Sequence, residues 1–175
     1  MILPFFRKSR LTGPVHAVYN AIVAQSRQPV FYAEWEVPDT LTGRFDMISL
    51  HIGLVFRRLR KERGEGRLFT QALFDLFFHD MDRSLREMGV GDLSVPKRIR
   101  NMGNIFYGFL GKLSEALDTG DMDALKGALV RNVYGGETPE HLDAMAEYVL
   151  ALVRELDEQP APSIMAGEIV FGAPA

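Results

Sequence analysis

The sequence predicts an all-α fold, a single-domain bundle of about six helices with short loops, and three observations lead there. Apolar residues recur at helical spacing along most of the chain, while strand-like alternation is nearly absent. Glycine, proline and aspartate interrupt that pattern where helices start and stop. With 175 residues, 47% of them apolar, the chain is long enough for one sizeable core and too short for two.

Each element has its own signal. Val15, Val18, Tyr19, Ile22 and Val23 follow Pro14, which suits a first helical position, and this helix should end near Arg27. The stretch from Pro29 to Pro38 reads as short helix or irregular chain, because Pro38 biases Val37 away from helix. A loop, PDTLTGR, leads to a second long helix from Phe45, marked by Ile48, Ile52, Val55, Phe56 and Leu59 and stopped at Gly64. The third helix should run from near Leu68 to about Met88, with GVGD as its stop. A fourth begins around Pro96, carries Ile99, Met102, Phe106, Phe109, Leu110, Leu113 and Leu117, and ends at Gly120. Asp121 caps a fifth, with Leu125, Leu129 and Val133, and Thr138 with Pro139 opens a sixth, striped by Leu142, Met145, Val149, Leu152, Val153 and Leu156. Residues 1–13 are expected to be a flexible N-terminal segment, 14–158 the helical domain, and 159–175 a flexible tail in which EIVF could dock back.

Composition excludes several classes of chemistry. Without cysteine there is no disulfide, thiolate metal site or cysteine nucleophile. A formal charge of −3 gives no reason to expect DNA or other nucleic acid as a partner. Its sign is uneven: ten bases and five acids lie up to Arg63, ten bases and eighteen acids beyond it. No uninterrupted apolar run approaches the roughly 18 residues of a spanning helix. The expectation is a cytoplasmic protein, peripheral at most to the inner face of the cytoplasmic membrane. The run Arg57–Arg63, RRLRKER, is the element that could touch a membrane surface or the ribosome.

The densest chemistry lies in ALFDLFFHDMDRSLREMGVGD, from Ala72 to Asp92. Asp75, His79, Asp82 and Arg86 fall at i, i+4, i+7 and i+11 and so share one stripe of a helix. A metal would need further ligands from a second helix, and His16, His51 and His141 sit in no such motif. No metal and no cofactor are expected. The simpler reading is a solvated stripe, in which Asp82 pairs with Arg86 and Asp75 supports His79. Around it, Leu73, Leu76 and Phe77 lie on one flank and Phe74, Phe78, Met81 and Leu85 on the other, a wider apolar surface than a one-sided helix needs. Such a helix is either central in its bundle or open to a partner on one side.

A second cluster, Asp39, Arg44 and Asp46, falls in a loop and first helical turn, where Thr42 or Gly43 could cap. Gly103, Gly108 and Gly111 inside a helical pattern imply close approach of another helix, within the domain or from a partner. No phosphate loop, nucleophile elbow or zinc-protease motif is present.

The strings FYAEWEVPDTLTGRFDMISLH and LFDLFFHDMDRSLREMGVGDLSVPKRIRNM, with IVAQSRQPVFY before them and FYGF after, resemble the ubiquinol-cytochrome c chaperone family in its alphaproteobacterial form. The resemblance covers roughly Tyr19 to Leu156. It implies an assembly factor rather than an enzyme, one that binds newly made cytochrome b and assists its incorporation into ubiquinol-cytochrome c reductase, respiratory complex III. Mitochondrial members work with a small partner subunit and at the ribosome; bacterial members manage without that partner, and a monomer is expected here. The family offers no agreed active site, so the motif positions Pro38, Asp39, Thr40, Gly43, Arg44, Phe45 and Asp46 and the helix from Phe74 to Asp92 stand as candidates for client contact or for the fold that presents it.

The physical expectation is an apolar groove on the aromatic side of the third helix, with help from the fourth, with Phe74, Phe77, Phe78, Met81 and Leu85 as client-contact candidates and Asp75, His79, Asp82 and Arg86 at its rim. Two competing readings are a helical enzyme using Asp75 and His79 as an acid-base pair near the Arg44 loop, and a general protein adaptor.

Overall fold

The computed structural model describes residues 4–174, with side chains from Leu11 onward. Among them are six helices of eleven residues or more, α1 (Pro4–Ser26), α3 (Leu41–Leu59), α4 (Glu65–Glu87), α5 (Val95–Thr119), α6 (Met122–Asn132) and α7 (Leu142–Glu158). Two five-residue helices, α2 (Pro29–Ala33) and α8 (Ala161–Met165), complete the set, and no strand is present among the described residues. The all-α, single-domain expectation holds.

The centre of the bundle is α3. Its stretch from Phe45 to Val55 is buried without a break, which requires neighbours on every side. Helices α1, α4, α5 and α7 supply them. At Gly53 the α5 side chains Leu110 and Leu113 come to 3.4 and 3.5 Å of the position a Cβ would occupy. The glycines expected to mark close approach behave differently: nothing lies within 4 Å of such a position at Gly108 or Gly111, and only the Phe78 ring reaches Gly103, at 3.9 Å. Inside the domain, the tight helix crossing belongs to α3.

The turn into α3 explains the PDTLTGRFD motif. Thr40, rather than Thr42 or Gly43, is the cap, its side chain accepting from the Gly43 amide at 3.1 Å. The Thr40 amide in turn donates to the Pro38 carbonyl at 2.8 Å. Any side chain at Gly43 would run into that same carbonyl, so the glycine is there for space.

Several boundaries differ from expectation. Pro14 lies inside α1, which extends back to Pro4 through the segment expected to be flexible. One missing amide bond is tolerated where α1 packs on α3 and α4. Helix α7 begins at Leu142 rather than at Pro139, and the Glu140 amide before it donates to the Glu36 carboxylate at 2.7 Å. Asp121 caps α6 as its position in the sequence suggests, accepting from the Ala124 amide at 2.9 Å.

The largest correction concerns the chain after Gln159, expected to be flexible and found packed from Pro160 to Pro174. Ile164 of α8 is fully buried, and Gly167, at φ 95°, lies against Pro14 and Ala17 of α1. The Gln159 side chain exchanges two hydrogen bonds with the Val170 backbone, at 2.8 and 2.9 Å. The Gly172 amide donates to the Glu155 carboxylate at 2.9 Å, and its carbonyl accepts from Gln25 Nε2 at 2.7 Å. EIVF does dock back, with the Phe171 ring edge-on to His51 at 6.0 Å.

That contact closes a buried polar centre. His51 Nδ1 donates to the Met47 carbonyl at 2.7 Å, which leaves Nε2 to accept from the Tyr148 hydroxyl, also at 2.7 Å. The hydroxyl accepts in turn from Gln25 Nε2 at 2.9 Å. Complete burial pushes the His51 pKa down to about 4, so the ring is neutral.

Candidate functional site

The helix that raised the functional question, α4, buries a strict i+4 stripe of Phe69, Leu73, Phe77, Met81 and Leu85 against the bundle. Phe78 is buried beside it, where the seam with α5 begins. Four of the five residues expected to line an open groove, Phe77, Phe78, Met81 and Leu85, are therefore core or nearly so; their exposures are 0%, 9%, 6% and 3%. Phe77 stacks on Phe45 at 5.2 Å between ring centroids, and Phe78 meets Phe45 edge-on at 6.2 Å. The two stretches that carry the family resemblance are thus packed on each other. The groove as expected does not form, because α1, α3 and α5 together cover the apolar surface of α4.

Phe74 is half-buried and reaches outward. Its ring lies 4.4 Å from Phe78, 5.7 Å from Phe106 and 5.3 Å from Tyr107 of α5, and Tyr107 is exposed.

The polar stripe has the simple form. Arg86 bonds Asp82 at 2.6 Å and Asp92 at 2.5 Å, and it holds the Asp82 carboxyl below the usual carboxylate range. Asp75 accepts from Gln71 at 2.8 Å rather than supporting His79. His79 stands exposed on the same face. Asp75 and His79 are both exposed, so neither is the buried, desolvated group that an acid-base pair of tuned pKa would need. Among the described residues no group of three or more histidine or acidic side chains is placed to hold a metal.

The loop cluster separates into two environments. Asp39 and Arg44 form an exposed pair at 2.8 Å that holds the Asp39 carboxyl below the usual carboxylate range. Asp46 is buried, and burial pushes its pKa up to about 7. It is not available to a partner.

An open cleft of about 310 Å³ joins both stretches, between Arg27 just past the end of α1, the start of α3 and the second half of α4. Leu41, Phe45, Ile48 and Met81 give it an apolar lining; Arg27, Arg44, Asp80 and Glu87 give it charge, and Met88 stands at its end. Asp80 is fixed there by the Tyr19 hydroxyl, which donates to it at 2.8 Å, and by Arg83 at 2.6 Å. Met88 is 62% exposed, a large apolar side chain in water beside an apolar hollow. Sequence reasoning named Arg44, Phe45 and the helix from Phe74 to Asp92, which carries Asp80, Met81, Ser84, Glu87 and Met88, but missed Leu41, Ile48 and Arg27.

The basic run turns inward. Arg57 pairs with Asp118 and Asp157, Arg60 pairs with Asp118, and Arg58 donates to the Leu156 and Gln159 carbonyls at 2.8 and 2.6 Å. Three of its five cations thus join α3 to α5, α7 and the residue after α7, while Lys61 and Arg63 stay exposed.

Fold and cleft together define a small all-helical protein built around a partly apolar recess, and no helix among the described residues is long and apolar enough to cross a membrane. The ubiquinol-cytochrome C chaperone family model matches residues 33–171, and the chain belongs to that family. The crystal structure of the Cbp3 homolog from Brucella abortus superposes with a TM-score of 0.87 at 40% identity, covering 99% of this chain and 98% of that one. Ubiquinol-cytochrome-c reductase complex assembly factor 1 of Xenopus laevis is 25% identical over 157 residues, 88% of this chain and 78% of the relative. Its Homo sapiens counterpart is 25% identical over 155 residues, but this chain spans only 52% of that protein.

Proposed function

We propose that this chain is an assembly chaperone for ubiquinol-cytochrome c reductase that shelters an apolar segment of newly made cytochrome b. The observation that carries the reading is the cleft bounded by Arg27, α3 and α4, where both family-specific stretches meet around an apolar lining. A cleft of about 310 Å³ takes a few side chains of a client helix and not the whole helix, so it grips an anchor point. Met88 adapts its shape to varied client side chains, since a thioether chain has no branch. Arg27, Arg44, Asp80 and Glu87 set the client's direction at the edge, where both signs of charge are present. Apolar burial is worth about 25 cal/mol per Å², and ordering costs offset much of it, which suits binding that must later release.

The test places a photo-crosslinking residue at Met88 or Ser84 in the cleft, and at Met122 on α6 as a control, during synthesis of cytochrome b. Adducts to cytochrome b from the first two and none from the third are expected. Equal labelling from all three, or none from the cleft, would overturn the assignment.

A further inference from the structure

The turn between α4 and α5 presents a feature that the cleft does not use. Leu93 is 98% exposed, the most exposed large apolar side chain among the described residues. It is held out rather than left loose: the Val90 amide donates to the Leu85 carbonyl at 3.1 Å, and the Ser94 amide to the Gly91 carbonyl at 2.8 Å. Val95, fully buried, anchors the chain immediately afterward.

Charge around this turn is sorted. Residues 82–100 hold five bases and three acids. All three acids, Asp82, Glu87 and Asp92, lie within ion-pair reach of Arg83 or Arg86 on α4. The remaining cations, Lys97, Arg98 and Arg100, are exposed on the first turns of α5 and have no ion-pair partner among the described residues. An apolar tip followed at once by unpaired cations matches the cross-section of a bilayer surface, where an apolar layer lies beneath anionic phosphates. A nucleic acid would satisfy the cations and leave Leu93 in water.

We propose that the α4–α5 turn docks the protein on an anionic bilayer, Leu93 entering the interface while Lys97, Arg98 and Arg100 meet headgroup phosphates. The cleft, ended by Met88 at the other side of the same turn, then lies beside the membrane.

The test is sedimentation of the full chain with vesicles of phosphatidylcholine alone, and of phosphatidylcholine with about 30% phosphatidylglycerol. Binding to the anionic vesicles, weakened by salt and nearly absent with the neutral ones, is expected. Leu93→Asp should lower partitioning at least about tenfold, since a buried leucine is lost. Lys97→Gln, Arg98→Gln and Arg100→Gln should each lower it about fivefold. Met122→Asp, at an exposed methionine on α6, should change nothing. Equal binding to both vesicle types, or indifference to Leu93→Asp, would overturn the proposal. So would light scattering that shows self-association abolished by Leu93→Asp, because the turn would then be an interface between copies. Capture of a cytochrome b segment by Leu93→Asp, measured without vesicles, should match the unaltered chain, so loss of lipid contact is separable from failure of the chaperone reading. A lost capture would assign Leu93 to the client instead.

Discussion

The middle of α3 and the turn after α4 show opposite solutions to the same problem. Toward α7 and the tail, polar groups are buried and bond one another: Gln25, His51, Tyr148 and the Gly172 carbonyl form one chain of hydrogen bonds. Toward the end of α4, apolar groups are left in water, as Met88 and Leu93 show. A satisfied buried network fixes one arrangement of the core, whereas an exposed apolar group lowers its free energy only when something covers it. The first region therefore specifies the fold, and the second is where a partner is expected.

Four substitutions sharpen that contrast, from the largest effect to the smallest. Phe77→Ala empties the stacked position against Phe45 and should cost about 3–5 kcal/mol in urea unfolding, with loss of client capture only as far as the fold is lost. If capture vanishes while stability stays within about 1 kcal/mol of the original, Phe77 contacts the client and is not a core residue. Tyr148→Phe removes the hydroxyl on which His51 Nε2 and Gln25 depend, and roughly 1–3 kcal/mol should be lost by the same measurement.

The third concerns pH. His51, with its pKa down at about 4, stays neutral where the unfolded chain takes up a proton, so its contribution is complete above about 6.5 and lost as pH falls toward 4. Asp46, with its pKa up at about 7, keeps a proton that the unfolded chain releases, so its contribution is complete below about 4 and lost as pH rises through 7. The two oppose each other between pH 4 and 6.5. Asp46→Asn should raise the melting temperature at pH 8 by about 3–8 °C and leave a steeper rise in stability from pH 4 to 6.5. An unchanged melting temperature at pH 8 would show that Asp46 is hydrated.

The smallest effect on stability tests the open end. Met88→Ser and Met122→Ser should each stay within about 0.5 kcal/mol of the original protein, yet only Met88→Ser should weaken cytochrome b capture. Equal capture by both would place the client away from the cleft.

Legibility followed the range of the forces involved. The stop at Gly120 and the cap at Asp121 were readable because a left-handed terminus and an amide acceptor act within a few residues. The helical stripes were readable too, but the identity of the central helix was not. The apolar surface of α4 looked wide enough to be central or open, and only the positions of α1, α3 and α5 show how it is covered. Pro160, Pro162 and Pro174 read as flexibility, whereas the tail packs, with Gly167 at positive φ lying against Pro14 and Ala17 of α1. The union of His51 with Tyr148 spans 97 residues and leaves no local trace. The arginine run looked available to an external surface because its acceptors include carbonyls at the end of α7, which no charge pattern records. At the site, Arg44 and Met81 were within reach of sequence reasoning, and the recess between them was not.

The hydrogen bond from Gln25 to Gly172 ties an early residue to one 147 positions later. The first helix can form and the aromatic contacts of the middle helices can follow before that bond is made, because its donor must wait for a strap far along the chain. Until the strap docks, the histidine centre is open to water, so the core is completed only by that late contact. A protein that attends to another protein's unfinished state thus passes through an unsealed state of its own.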